Sequence, residues 1–130
     1  MLKKTITYTD FNGNQRTEDH YFNLTKAEVV EMEMGVTGGY SEMIQRVVAA
    51  QDAPSIMKVF KEFIVKSYGI KSPDGLRFMK SEEITNNFLQ TEAYSTLFME
   101  LCTNAEAAAA FVNAVVPKAD KPAIPAPADK

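Results

Sequence analysis

The 130-residue sequence predicts an α+β fold, predominantly α, with an N-terminal β-hairpin followed by a bundle of five or six short helices. Three observations carry this. Residues 2–9 alternate in polarity ahead of an Asn12-Gly13 pair. Polar cap residues then recur, each opening a stretch with helical apolar spacing. Finally, composition changes abruptly at Pro117. The expected organisation is one globular unit over 1–116, with the hairpin at 1–22 and the helical part at 24–116, then a tail over 117–130.

Leu2, Ile6 and Tyr8 fall on one face of a period-two pattern, which marks a strand. Asn12-Gly13 is a strong hairpin signal, because a primed turn needs positive φ at both central residues. Residues 15–22 return as the second strand. Its Glu18, Asp19 and His20 suggest an edge open to water, while Tyr21 and Phe22 suggest an end touching the core.

Thr25-Lys26-Ala27-Glu28 has the spacing of a capping box, with Leu24 and Val29 placed as a hydrophobic staple. The first helix is predicted over Lys26 to Met34, closed by Gly35 in the left-handed conformation. Gly38-Gly39 marks a loop. Ser41 is placed as the cap of a helix running to Gln51, with Ile44, Val47 and Val48 on one face. Asp52-Ala53-Pro54-Ser55 opens the next helix, since proline is tolerated in a first turn. Ile56, Phe60, Phe63 and Ile64 form its core stripe, and Gly69 is placed as its end.

Ser72-Pro73-Asp74-Gly75 is a turn in which proline presets φ and glycine takes the strained position. Short strands at Ile70-Lys71 and Leu76-Phe78 are compatible with the pattern. Ser81, Thr91 and Asn104 are placed as caps of three further helices, to about Gln90, Cys102 and Val116. The segment PKADKPAIPAPADK holds four of the six prolines and one large apolar residue. Too little apolar surface is present there to offset chain entropy, so it reads as a flexible tail.

Composition narrows the function. Fourteen basic against seventeen acidic residues leave a net charge of −3, which disfavours binding to nucleic acid. No apolar core of signal-peptide length follows Lys3 and Lys4. No stretch approaches the roughly eighteen apolar residues of a membrane span. With Cys102 the single cysteine, a soluble intracellular protein is expected.

Candidate chemistry is sparse. His20 is the single histidine and reads as a solvated strand residue. Cys102 follows Leu101 on the stripe Tyr94, Leu97, Phe98, Leu101 and reads as a small buried hydrophobe. Glu28, Glu31 and Glu33 read as a solvated helix face, and Glu82-Glu83 as acids favoured at a helix start. Gly35-Val36-Thr37-Gly38-Gly39 lacks the lysine of a phosphate loop. No catalytic, cofactor-binding or metal-binding residue is assigned, and an enzyme is not expected. The methionines Met32, Met34, Met43, Met57, Met79 and Met99 are read as core fillers. The helix in NAEAAAAFVNAVVP gathers its large apolar residues, Phe111, Val112, Val115 and Val116, at its end. It either packs flat on the bundle or lies in a partner's groove, and those four residues are the expected partner contacts.

Between Tyr68 and Pro117 stand Tyr68-Gly69, Asp74-Gly75, Arg77-Phe78, Lys80-Ser81, Thr91-Glu92-Ala93-Tyr94-Ser95 and Leu97-Phe98-Met99-Glu100-Leu101. Ala110-Phe111-Val112-Asn113 and Val115-Val116-Pro117 follow. This run resembles the small tail assembly chaperones encoded beside the tail-tube and tape-measure proteins of long-tailed bacteriophages, particularly those of Gram-positive hosts. The hairpin leading through Asn23-Leu24-Thr25-Lys26-Ala27-Glu28 resembles the same family's opening. The resemblance implies a soluble helical protein of the infected cell, without cofactor or enzymatic activity. It implies binding to the tape-measure protein and the tail-tube protein, and absence from the finished virion. A structural tail or neck component of the virion, or a small prophage-encoded regulatory binding protein, are the competing readings. The hairpin is expected to cap the bundle with Ile6, Tyr8 and Phe22 inward. Its open edge would be available to another chain by strand addition, including a second copy.

Overall fold

The computed structural model describes residues 1–35 and 38–117. The predicted tail from residue 118 onward lies outside the described residues, as does the centre of the Gly35–Gly39 loop. The elements run β1 (Leu2–Thr9), β2 (Gln15–Phe22), α1 (Lys26–Met34), α2 (Tyr40–Ala50), α3 (Ala53–Ser67), β3 (Tyr68–Lys71), β4 (Phe78–Met79), α4 (Glu82–Leu89), α5 (Glu92–Thr103) and α6 (Ala105–Val115). The α+β character, the N-terminal hairpin and six helices agree with the sequence expectation.

β1 and β2 pair antiparallel from Leu2↔Phe22 to Thr9↔Gln15. The turn differs from expectation. Asn12 does not take positive φ; Gly13 alone does in this loop, at 84°. The Asp10 carboxylate organises the loop instead, accepting from the amides of Asn12 and Asn14 at 2.9 Å each and from Arg16 Nε at 2.6 Å. An aspartate that satisfies backbone donors supports a longer loop where a two-residue turn would need none.

The hairpin is not alone. β2 pairs with β3 through Tyr21↔Gly69 and Phe22↔Tyr68, and β3 pairs with β4, giving a four-stranded antiparallel sheet ordered β1-β2-β3-β4. The last two residues of β2 are therefore covered. Gly69 does not end α3; Tyr68 is the cap and Gly69 lies inside β3. A Cβ there would stand 2.7 Å from the Phe78 ring and 2.9 Å from the Met79 carbonyl, so a close approach between strands demands glycine. The Ser72–Gly75 turn matches its prediction: Gly75 has φ 75° and its amide donates to Ser72 O at 2.9 Å.

Four predicted caps form. Thr25 Oγ1 accepts from Glu28 N at 3.2 Å, and Glu28 Oε1 accepts from Thr25 N at 2.8 Å, closing the capping box. Ser81, Thr91 and Asn104 each accept from the amide three residues on. Two terminal readings change. Gly35 closes α1 in the right-handed region, at φ −81°. α2 begins at Tyr40, with Gly39 rather than Ser41 in the cap position. Gly39 has φ 94°, and a Cβ there would lie 2.5 Å from Glu33 Oε2.

The core lies between the inner face of the sheet and α3, α5 and α6. Phe22 is fully buried at its centre, 5.2 Å from Phe111 and 5.9 Å from Phe88 between ring centroids. Phe63 meets Phe111 at 5.8 Å, and Tyr68 stacks on Phe88 at 4.1 Å. Ala93, Leu97 and Leu101 of α5 are buried beneath β1, as the stripe Tyr94, Leu97, Phe98, Leu101 predicts in part; Tyr94 and Phe98 are half-buried at its margin. Burying a large apolar side chain contributes about 1.5–3 kcal/mol, so these aromatic and aliphatic residues dominate stability. The methionines do not fill this core. Met34, Met57 and Met99 are exposed, and Met32, Met43 and Met79 are half-buried. Phenylalanine and leucine already occupy the centre, which leaves methionine at the edges.

Candidate partner-binding cleft

α1 is bound to the rest of the molecule mainly at its start. Lys80 Nζ donates to three acceptors at 2.8 Å: Asn23 O, Lys66 O and Glu28 Oε2. It thus ties the chain leading into α1 to the end of α3. Burial alone would raise the Glu28 carboxyl; the Lys80 ammonium and the Thr25 amide outweigh it and hold Glu28 below the ordinary carboxylate range. Two backbone bonds add to the tie, from Asn23 N to Ser67 O at 2.8 Å and from Leu24 N to Val115 O at 3.4 Å.

Beyond its first turn α1 is loosely held. None of its residues is buried. Val29 and Met32 lean on the core, while Val30 and Met34 face outward at 45% and 83% exposure. A helix with apolar residues on two sides is only half covered by its own bundle.

Between α1 and α3 lies a cleft of about 400 Å³. Glu28, Glu31, Met32 and Gly35 form one wall, Glu62 and Lys66 the other. Leu24 and Tyr40 line it too, and with Met32 they also line a smaller gap of about 20 Å³ behind, where Val112 and Val116 stand. Tyr40 is 5% exposed, its hydroxyl faces Glu62, and no partner among the described residues lies within 3.5 Å in hydrogen-bonding geometry. Burial, and then the charge of the nearby Glu62, push the hydroxyl pKa up, so it stays protonated. Glu31 and Glu62 are in none of the ion pairs among the described residues. The cleft therefore offers apolar walls, a neutral hydroxyl beside the Glu62 carboxylate, and the acids Glu31 and Glu62 with Lys66 on the same wall as Glu62. That is an arrangement for holding a group, with no nucleophile in it.

The four expected partner contacts divide. Phe111 and Val115 are 3% and 0% exposed, inside the core, where the Phe111 ring holds α6 against Phe63 of α3 and Phe22 of β2. Val112 and Val116 are half-buried and line the inner gap. The structure thus joins two of the four to Leu24, Met32 and Tyr40. The sequence reading did not single out Tyr40 or Glu62. They come from different helices, and no spacing links them.

His20 is not a solvated strand residue. It shares the inner face of β2 with Glu18 and Phe22, its ring 5.2 Å from Phe88 and 6.4 Å from Tyr68. Its Nδ1 is buried without a hydrogen-bond partner among the described residues, and burial lowers its pKa against the opposing pull of Glu18 and Asp19. Cys102 is half-buried and burial raises its thiol pKa, which disfavours the reactive thiolate.

A family model described as phage tail assembly chaperone matches residues 1–121. The chain belongs to that family. No curated protein and no solved structure matches it. The matched span takes in the whole sheet, all six helices and every residue lining the cleft, so the cleft is built from the chaperone family's own segment of the chain. No helix among the described residues of this chaperone is long and apolar enough to cross a membrane.

Proposed function

We propose that this chain binds the tape-measure protein and the tail-tube protein during tail assembly, holds them apart from premature aggregation, and leaves before the virion is finished. The work is non-covalent and takes place in the host cytoplasm. It uses no cofactor and no nucleic acid. The observation that carries the reading is the family match over residues 1–121. The exposed apolar side chains of α1, Val30 and Met34, support it, because a binding protein for apolar clients must leave such groups in reach of them. Val112 and Val116, half-buried in the gap beneath α1, are the residues of α6 nearest to such a client, while Phe111 and Val115 belong to the core.

The test is co-expression with the tape-measure protein from the same genome, followed by affinity purification and particle analysis. The expected result is soluble tape measure that co-purifies with the chain, and purified virions that lack it. Tape measure left insoluble beside a soluble chain, or the chain retained in virions, overturns the proposal.

A further inference from the structure

The cleft has a counterpart elsewhere on the same molecule. The β3–β4 turn ends in Leu76 and Arg77. Leu76 is 82% exposed, among the most exposed large apolar residues of the protein. Arg77 is exposed beside it. The sequence has three arginines. Arg16 pairs with Asp10 and Glu18, and Arg46 pairs with Glu42, but Arg77 is in no ion pair among the described residues.

The turn that carries this pair is held firmly. Ser72 Oγ donates to Asp74 Oδ1 at 2.6 Å and accepts from Arg77 N at 3.0 Å, and Leu76 N donates to Asp74 Oδ1 at 3.0 Å. Ser72 N donates to Arg77 O at 2.9 Å. The backbone of Leu76 and Arg77 is thus fixed while both side chains project from the fold. A pre-ordered apolar–cationic tip loses little freedom when it docks.

We propose that the Leu76–Arg77 tip of one copy inserts into the α1–α3 cleft of a second copy. Leu76 meets the apolar wall of Leu24 and Met32. The Arg77 guanidinium, with its fork of donors, takes Glu62 and Glu31. The insertion pairs two carboxylates with an arginine that has no ion pair among the described residues, and covers an exposed leucine with an apolar wall. Reciprocal exchange closes a two-fold dimer, and one-way insertion runs on as a chain of copies. A knob in a cleft covers less area than a permanent dimer, so the association is expected to be roughly micromolar or weaker. It does not depend on the chaperone reading.

Sedimentation velocity on the full chain over a range from about 10 µM to 1 mM tests this. The expected result is a concentration-dependent rise in mass that fades at high salt, as partly exposed ion pairs are screened. Arg77→Glu and Glu62→Lys should each weaken association at least tenfold, the loss of a close charge pair. The two together should restore most of it. Leu76→Ser should weaken it without a charge change. All these positions are exposed, and melting temperatures near that of the parent show that each variant folds. A monomer at every concentration, singles that associate like the parent, or a charge swap that fails to rescue, overturns the proposal. So does a strictly monomeric chain whose Glu62→Lys variant loses only the tape-measure protein, since that result gives the cleft to the client.

Discussion

Replacing Lys80 with methionine removes one ammonium and keeps the length and apolar stem of the side chain. Three acceptors lose their donor: Asn23 O, Lys66 O and Glu28 Oε2, each at 2.8 Å. A hydrogen bond from a charged donor contributes about 1.5–3 kcal/mol when its loss leaves the partner unsatisfied. Here the site is not closed: Lys80 is 22% and Glu28 34% exposed, so water recovers part of each bond. The ion-pair share falls toward the 0–1 kcal/mol of surface pairs. The two carbonyls, at the junction of α1 and α3, supply the rest. The expected cost is about 2–3 kcal/mol. At roughly 3–5 °C per kcal/mol for a domain of this size, the melting temperature drops by about 6–15 °C. Thermal and urea unfolding should agree, with an unchanged urea slope. Lys80→Arg should recover less than half, because a planar fork does not converge on three acceptors as a rotating ammonium does. A shift under about 2 °C for Lys80→Met means that Lys80 is not the tie between α1 and α3, and that the backbone bonds hold α1 alone.

Gly69→Ala should destabilise by about 1–3 kcal/mol, because the new methyl meets the Phe78 ring and a backbone carbonyl that cannot move aside cheaply; a melting curve like the parent's refutes the close approach. Leu97→Ala, at 0% exposure beneath the sheet, should cost about 2–5 kcal/mol in urea unfolding. Acidification should cost stability through His20. Its folded pKa lies below the ordinary 6.5, so the unfolded chain binds more protons in that window. Stability is full above pH 6.5 and falls as pH drops through 6.5 toward the folded value; His20→Phe should flatten that slope while leaving the lower-pH loss from Glu28, Asp10 and Asp74.

Much of the fold was legible because its signals are local. Thr25, Ser81, Thr91 and Asn104 each bond an amide three residues away, and that chemistry is written in adjacent letters. The glycines were less so. Gly35 and Gly69 look alike as helix-ending residues, but Gly69 answers to a ring that arrives from Phe78 in another strand. His20 sits among polar neighbours in sequence, and only the packing of α4 and β3 over β2 turns its side into an interior. The candidate site was half legible. Val112 and Val116 stood out as apolar residues gathered at one helix end, but the same signal brought in Phe111 and Val115, which the core takes. Tyr40, Glu31 and Glu62 belong to three helices, so nothing short of the tertiary fold assembles them.

No loop separates α3 from β3: Ser67 ends the helix and Tyr68 begins the strand. One end of this continuous arm carries Glu62 and Lys66 in the cleft wall, and the other runs into the turn that bears Leu76 and Arg77. A displacement of the wall has no slack segment to absorb it. Were the wall to shift, the tip would shift with it, and a copy that has received a neighbour would present its own tip differently from one that has not.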